Sequence, residues 1–322
     1  NLTTDVYYSK THDLLLNVPI PILTGFSSTL TNVGELQNKG IEFNINTHNL
    51  TGKFSWTTDF NISANRNKVL KLGENNAPID ISVSSMTSRT AVGKPIGMYY
   101  GYIFDGVIMS QAELESGEYP VWEGSEPGDP KVKDVTKDGN VDSDDRTYIG
   151  NYQPDFSWGM TNNFSFKGWE LSIMLRGSHG GEIMNHSARY LKSNSGGGNR
   201  NQYKVVTNYW KSESDPGNGK IFKPRAVANT VQGQGSNYWV EDGSFVRIQN
   251  IRLGYSLPSG LVNKLKLNRM KLYLNLENVY VFSDYNGYDP ESSTYQTGVL
   301  VGFDYGAYPT PFVATVGVNV TF

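Results

Sequence analysis

The sequence predicts an all-β chain: a segment of a transmembrane antiparallel β-barrel, about eight strands, with long loops at one end. Three observations carry this. First, in Pro311-Phe-Val-Ala-Thr-Val-Gly-Val-Asn-Val-Thr-Phe322, Phe312, Ala314, Val316, Val318, Val320 and Phe322 fall on one strand face. Thr315, Gly317, Asn319 and Thr321 fall on the other, because side chains alternate across a strand. Second, the same alternation recurs along all 322 residues. Third, tight turns alternate with long connections, a pattern that compact soluble domains seldom show.

The first strand is expected over roughly 2–16, with Leu2, Thr4, Val6 and Tyr8 on one face. The second covers roughly 38–49, where Ile41, Phe43 and Ile45 oppose Glu42, Asn44 and Asn46. The third runs about 53–70, with Phe54, Trp56, Phe60 and Ile62 against Ser55, Thr57, Asp59, Asn61 and Ser63. The fourth, about 155–166, carries Phe156, Trp158, Met160, Phe164 and Phe166. The fifth, about 169–180, sets Trp169, Leu171, Ile173 and Leu175 against Glu170, Ser172 and Arg176. The sixth, about 243–257, keeps its alternation only if a bulge shifts the phase near Gln249. The seventh, about 268–282, sets Met270, Leu272, Leu274 and Leu276 against Lys271, Tyr273, Asn275 and Glu277; the eighth is the terminal stretch. Short turns are expected at Asn49–Gly52, Lys167–Gly168 and Pro258–Leu267, and long loops at about 17–37, 71–154, 181–242 and 283–310.

Composition narrows the functions. No cysteine is present, so thiol nucleophiles and thiolate metal sites are excluded. A net charge of -3 and a pI near 5.9 give no electrostatic case for nucleic acid. With 34 Gly, 20 Tyr and 12% aromatics, the chain suits strands, turns and interfacial rings. Mean hydropathy is -0.44 and no apolar run is long enough for a spanning helix, which leaves a barrel open. Asn1-Leu-Thr-Thr4 lacks a charged start before an apolar run, so no signal peptide is expected and the chain is expected to be a mature or internal piece.

Asn32-Val-Gly-Glu-Leu-Gln-Asn-Lys-Gly-Ile-Glu42 resembles a segment of the TonB-dependent outer-membrane transporters. Gly93-Lys-Pro-Ile-Gly-Met-Tyr-Tyr-Gly-Tyr102 and Phe104-Asp-Gly-Val107 look like the corresponding stretch of their SusC/RagA branch. Pro127-Gly-Asp129 leading to Asp134–Arg146, Ile149-Gly-Asn151 and Phe245-Val-Arg-Ile-Gln-Asn-Ile-Arg-Leu-Gly-Tyr255 continue the series. The resemblance implies that residues 1–322 are the C-terminal portion of a twenty-two-stranded barrel, its last eight strands, with the plug domain absent. It implies TonB-energised import of oligosaccharides or peptides across the outer membrane of a Gram-negative bacterium. The implied partners are the remaining barrel and its plug, a SusD-like surface lipoprotein, TonB through the missing N-terminal part, and outer-membrane lipid. Phe322 resembles the aromatic assembly signal of outer-membrane proteins.

One constellation has the chemistry of an ion site. Asp134, Thr136, Asp138, Asn140, Asp142 and Asp145 occupy positions 1, 3, 5, 7, 9 and 12 of an EF-hand-like loop, with Gly139 at the sharp turn. Structural Ca²⁺ is one reading; an Asp-rich solvated turn without an ion is the other. Thr at position 3 and the short arm of Asp145 depart from the pattern. Among loop aromatics, Trp210, Tyr238, Trp239, Tyr285 and Tyr288 are candidates for substrate or partner contact, against the reading that they pack the loops together. Ser193–Asn199 reads as a flexible loop tip. His12, His48, His179 and His186 show no metal spacing, no nucleophile elbow accompanies His179-Gly-Gly-Glu182, and no enzyme is expected. Two other readings stay open: a secreted glycan-binding or adhesin module with a Ca²⁺ loop, and a small pore or surface enzyme on its own closed eight-stranded barrel.

Overall fold

The structure, a computed structural model, describes residues 1–19, 28–73, 75–192, 201–224, 235–294 and 299–322. One antiparallel sheet of eight strands follows chain order. Its strands are β1 (Leu2–Pro19), β2 (Ser28–Leu50), β3 (Phe54–Leu72) and β4 (Phe156–Phe166). The others are β5 (Trp169–His179), β6 (Phe245–Ser256), β7 (Arg269–Ser283) and β8 (Val313–Thr321). β1 and β8 are the two edges and do not pair with each other, so the sheet is not a closed eight-stranded barrel.

Register aligns the alternation of neighbouring strands. Leu272 lies opposite both Val318 and Tyr255, and Ile251 opposite both Ile173 and Leu276. Polar rows lie between the apolar ones: Arg252 is opposite Ser172 and Asn275. A one-residue slip would exchange the faces, so the pattern itself fixes the pairing. The expected bulge is present, with Gln249 skipped in the register on both sides of β6.

Among the described residues, the sheet has no covering layer. Among the described residues, the wall's buried side chains sit near its long-loop end: Val69 and Leu72 of β3, Phe245 and Arg247 of β6. Val316 is 81% exposed, although β8 is apolar along that face. None of Phe54, Trp56, Leu171, Ile173, Val316 or Val318 is buried in a protein core.

The turn between β4 and β5 is two residues, Lys167 and Gly168, both at positive φ (47° and 87°). That geometry twists in the sense the strands require, and glycine adopts it without strain. β6 and β7 are joined through a short helix, Ser259–Lys264. No described helix is long and apolar enough to cross a membrane, which says nothing of strands.

The long-loop end differs from the sequence reading in two ways. The segment expected as a loop at 17–37 is largely a hairpin: β1 and β2 stay paired out to Pro19 and Ser28. The period was hidden because the register slips between Thr11 and Leu15, where Asp13 takes φ 56°. Residues 20–27 lie outside the described residues.

The described parts of the other three long connections are folded. One four-stranded sheet uses Ile79–Val83, Met86–Thr90, Met98–Gly101 and Thr147–Gly150. A second joins Val240–Asp242, Glu182–Asn185 and Phe303–Asp304, and a ribbon pairs Phe104–Val107 with Pro130–Val132. Strands of two to five residues are too short to show a period, so sequence patterning misses them.

Candidate functional site

Two surfaces can carry function: the polar face of the wall and the folded platform of loops at its end. On the polar face, side chains of adjacent strands satisfy one another. Lys271 donates to Glu170 at 2.5 Å, Asn46 donates to Asp59, and the Ser55 and Ser165 hydroxyls are 2.6 Å apart. The Arg252 guanidinium sits 5.0 Å above the Tyr273 ring, and that ring lies against Gly317. A Cβ at residue 317 would meet Tyr273 at 2.2 Å, so glycine is what lets the ring lie flat on β8. Arg176 of β5 reaches into a loop instead. Its guanidinium holds Glu291 through two bonds of 2.6 and 2.7 Å.

This contact belongs to a larger network. Arg247 of β6 is buried and donates to Asp289 at 2.6 Å, and its Nε lies 2.9 Å from Glu291. Asp289 also accepts the backbone N–H groups of Glu291 and Thr310. Burial pushes the Asp289 carboxyl upward, but those N–H groups and Arg247 outweigh it and leave its pKa below the ordinary range. Two wall arginines thus clamp the 283–310 connection. The sequence offered no signal for this pairing, since the partners are tens of residues apart. Beneath the clamp lies a cavity of about 490 Å³, lined by Asn61, Tyr152, Arg176, Phe245 and Glu291 among others.

Tyr99 joins three connections. Its hydroxyl donates to the Gly302 carbonyl at 2.7 Å, with the Glu182 carbonyl 3.0 Å away, and its ring meets Phe303 edge-on. Full burial pushes its phenol pKa well upward. Met86, Val107, Met184, Phe222 and Leu300 complete the core around it.

The five candidate contact aromatics divide. Trp239 is 1% exposed, and Trp210 and Tyr285 are each 8% exposed. Trp210 donates from its indole to the Met109 carbonyl, and Tyr285 donates to Asp304 at 2.6 Å. Tyr238 packs between Phe104, Phe222 and Trp239, and burial raises its pKa to about 12. These four serve the core of the platform. Tyr288, 76% exposed, is the one with a free ring. The Ser193–Asn199 tip lies outside the described residues.

In the Asp134–Asp145 loop the acidic groups turn to the loop's own backbone. Asp134 accepts from the N–H of Lys137 and Gly139, and Asp138 from Asn140. Asp145 accepts from Val135, Thr136 and Asp142, while Asp142 caps the short helix Ser143–Asp145. Burial opposes ionisation of Asp145, yet these bonds hold its pKa low. Among the described residues, no three acidic or histidine side chains gather about one point that would hold a metal. The Thr136 hydroxyl lies 3.1 Å from a carboxylate oxygen of both Asp134 and Asp145.

The histidines stay apart. His12 is 3.6 Å from Glu35, His179 packs on Phe156, and His186 is buried between Tyr190 and Tyr305. At the other end of the wall, Phe322 is 87% exposed and its carbonyl accepts from the Asn268 amide.

No protein-family profile matches the chain. Individual proteins do. TonB-dependent receptor P3 of Formosa agariphila is 34% identical over 335 residues, covering 100% of this chain and 32% of that protein. TonB-dependent receptor P26 of the same organism is 35% identical over 328 residues, covering 98% and 32%. TonB-dependent receptor SusC of Bacteroides thetaiotaomicron is 28% identical over 337 residues, covering 99% and 30%. The chain therefore spans about a third of the length of the curated relatives it matches. Among solved structures, a RagAB peptide importer in its closed-closed state superposes with a TM-score of 0.78 at 22% identity, over 100% of this chain and 33% of that one. That likeness concerns the fold.

Proposed function

We propose that the chain is part of a TonB-dependent receptor of the SusC/RagA branch and that it builds about a third of the wall of an outer-membrane nutrient importer. The observation that carries this is the uncovered sheet: one face apolar and exposed, the other polar, both edges unpaired. Lipid satisfies the first face, and a plug or water the second. The remaining strands of the same polypeptide satisfy the edges. A secreted adhesin would need protein over Val316 and its row, which favours the importer.

Short turns mark the periplasmic side and the platform the extracellular side. The cargo is an oligosaccharide or a peptide, delivered under a SusD-like lipoprotein that rests on the platform, with Tyr288 as a contact. TonB engages a part of the polypeptide outside this chain. Nothing in this scheme requires catalysis. Ca²⁺ in the 134–145 loop is a structural proposal: a calcium-dependent rise in thermal stability, lost in Asp134→Ala, supports it, and an unchanged melting curve counts against it.

The test uses the full-length protein in its native cell. Uptake of the cognate oligosaccharide or peptide should fail without TonB, and a photocrosslinker at Tyr288 should capture a surface lipoprotein. Uptake independent of TonB contradicts importer function; crosslinks to that lipoprotein from Asn49–Gly52 contradict the orientation.

A further inference from the structure

We propose that the cavity beneath the arginine clamp receives the carboxylate of a uronate-bearing oligosaccharide, in the place that Glu291 now holds; this inference narrows the importer reading above and rests on it. The cavity, about 490 Å³, lies on the polar face of the wall and falls within the ~300–1,000 Å³ usual for small-ligand pockets. Its cation is Arg176; no lysine and no other arginine lines it among the described residues. Gln249, the residue that the β6 bulge leaves unpaired, accepts the Arg176 Nε–H at 2.7 Å and itself donates to Asn278 at 3.0 Å. That bond holds the guanidinium with its two terminal nitrogens toward a carboxylate, and Glu291 takes both, at 2.6 and 2.7 Å. Two parallel bonds from one fork are the geometry by which arginine selects a carboxylate.

Glu291 is an exchangeable occupant. Among the described residues its carboxylate meets arginines only, and the residue is exposed. The segment that carries it is anchored without it: Asp289 is held by Arg247 at 2.6 Å and by the N–H groups of Glu291 and Thr310. The buried Arg247 Nε lies 2.9 Å from the Glu291 carboxylate but out of line with it, so that donor makes no hydrogen bond. A carboxylate brought by cargo replaces Glu291 on the fork with no arginine left unpaired, and Glu291 passes to water. The rest of the cavity suits a sugar. Asn61, Ser63, Ser157 and Ser178 offer amide and hydroxyl groups to sugar hydroxyls, and Tyr152 and Trp158 offer rings. A peptide would need partners for its backbone, and β3 to β6, which line the cavity, are each paired on both sides. Glu182, the other carboxylate of the lining, is engaged by the Asn151 N–H at 2.6 Å.

Titration calorimetry of the full-length protein in detergent tests this, with trimers of galacturonate, glucuronate and mannuronate as probes, each beside its methyl ester. At least one trimer should bind about ten-fold more tightly than its ester. Glu291→Gln removes the internal competitor and should tighten that binding about ten-fold, while Arg176→Gln should abolish the preference for acid over ester. Heat-modifiable gel migration shows whether Arg176→Gln is folded; if it is not, Arg176→Lys, which keeps the charge and loses the fork, takes its place and should still lower the preference. Trimers bound no better than their esters, or binding that Glu291→Gln weakens or leaves unchanged, overturn the site. So does preferential binding of trialanine, acid over amide, which gives the fork to a peptide instead. TonB-dependent uptake that is unaltered in Arg176→Gln removes the site and keeps the importer; uptake without TonB removes the importer.

Discussion

Arg247 shows how much one buried charge can fix. Removing one partner of a buried pair leaves the other uncompensated, at a cost of about 3–5 kcal/mol. Arg247→Ala should therefore free the Asp289–Glu291 segment while the strands stay formed. Hydrogen exchange on the full-length protein would report faster exchange near Asp289 and none in β7; uniform exchange would contradict the clamp. His186 gives a pH dependence. Burial first, and Arg189 second, lower its pKa from 6.5 to about 4. Its stabilising effect is thus complete above about pH 6.5 and declines as pH falls toward 4, where the native ring must protonate. His186→Phe should flatten proteolytic sensitivity of the platform across that window, and an unchanged profile would exclude His186 as the cause. Neither residue was legible in the sequence. Their roles depend on what three separate connections bring to them, and no local pattern encodes that.

Strands were the legible level. Their faces could be assigned because lipid and lumen impose a period of two on about ten residues at a time. Even the Gln249 bulge was visible as a phase error. The loops were not legible, since their strands are too short for a period and their core forms between distant segments. The five candidate aromatics illustrate it: exposure, not residue type, separates Tyr288 from Trp239. Two predictions belong here. Gly317→Val should drive Tyr273 off β8, costing about 1–3 kcal/mol, and Tyr273→Ser should restore outer-membrane abundance; failure to restore would place the defect elsewhere. Phe322→Ser removes about 1.5–3 kcal/mol of apolar burial, little for a barrel. It should lower the amount assembled but leave uptake per assembled molecule unchanged. Normal abundance with lost uptake would contradict an assembly role.

At the scale of the molecule, one physical division organises everything: a single-layer wall that solvent would not tolerate, and a platform with a core of its own. The wall exists because two different media meet its faces. The platform exists because Tyr99, Trp239, Phe222 and Phe303 bury one another at the wall's end. Scanning β7 and β8 of the full-length protein with single spin labels tests that division directly, and this chain contributes no cysteine of its own. Labels at Leu272, Leu274, Val316 and Val318 should be accessible to oxygen dissolved in lipid. Labels at Lys271, Tyr273, Thr315 and Asn319 should not, giving a period of two along both strands. Labels at Val316 and Leu272 that are immobilised and shielded from oxygen, as in a protein core, would contradict the account.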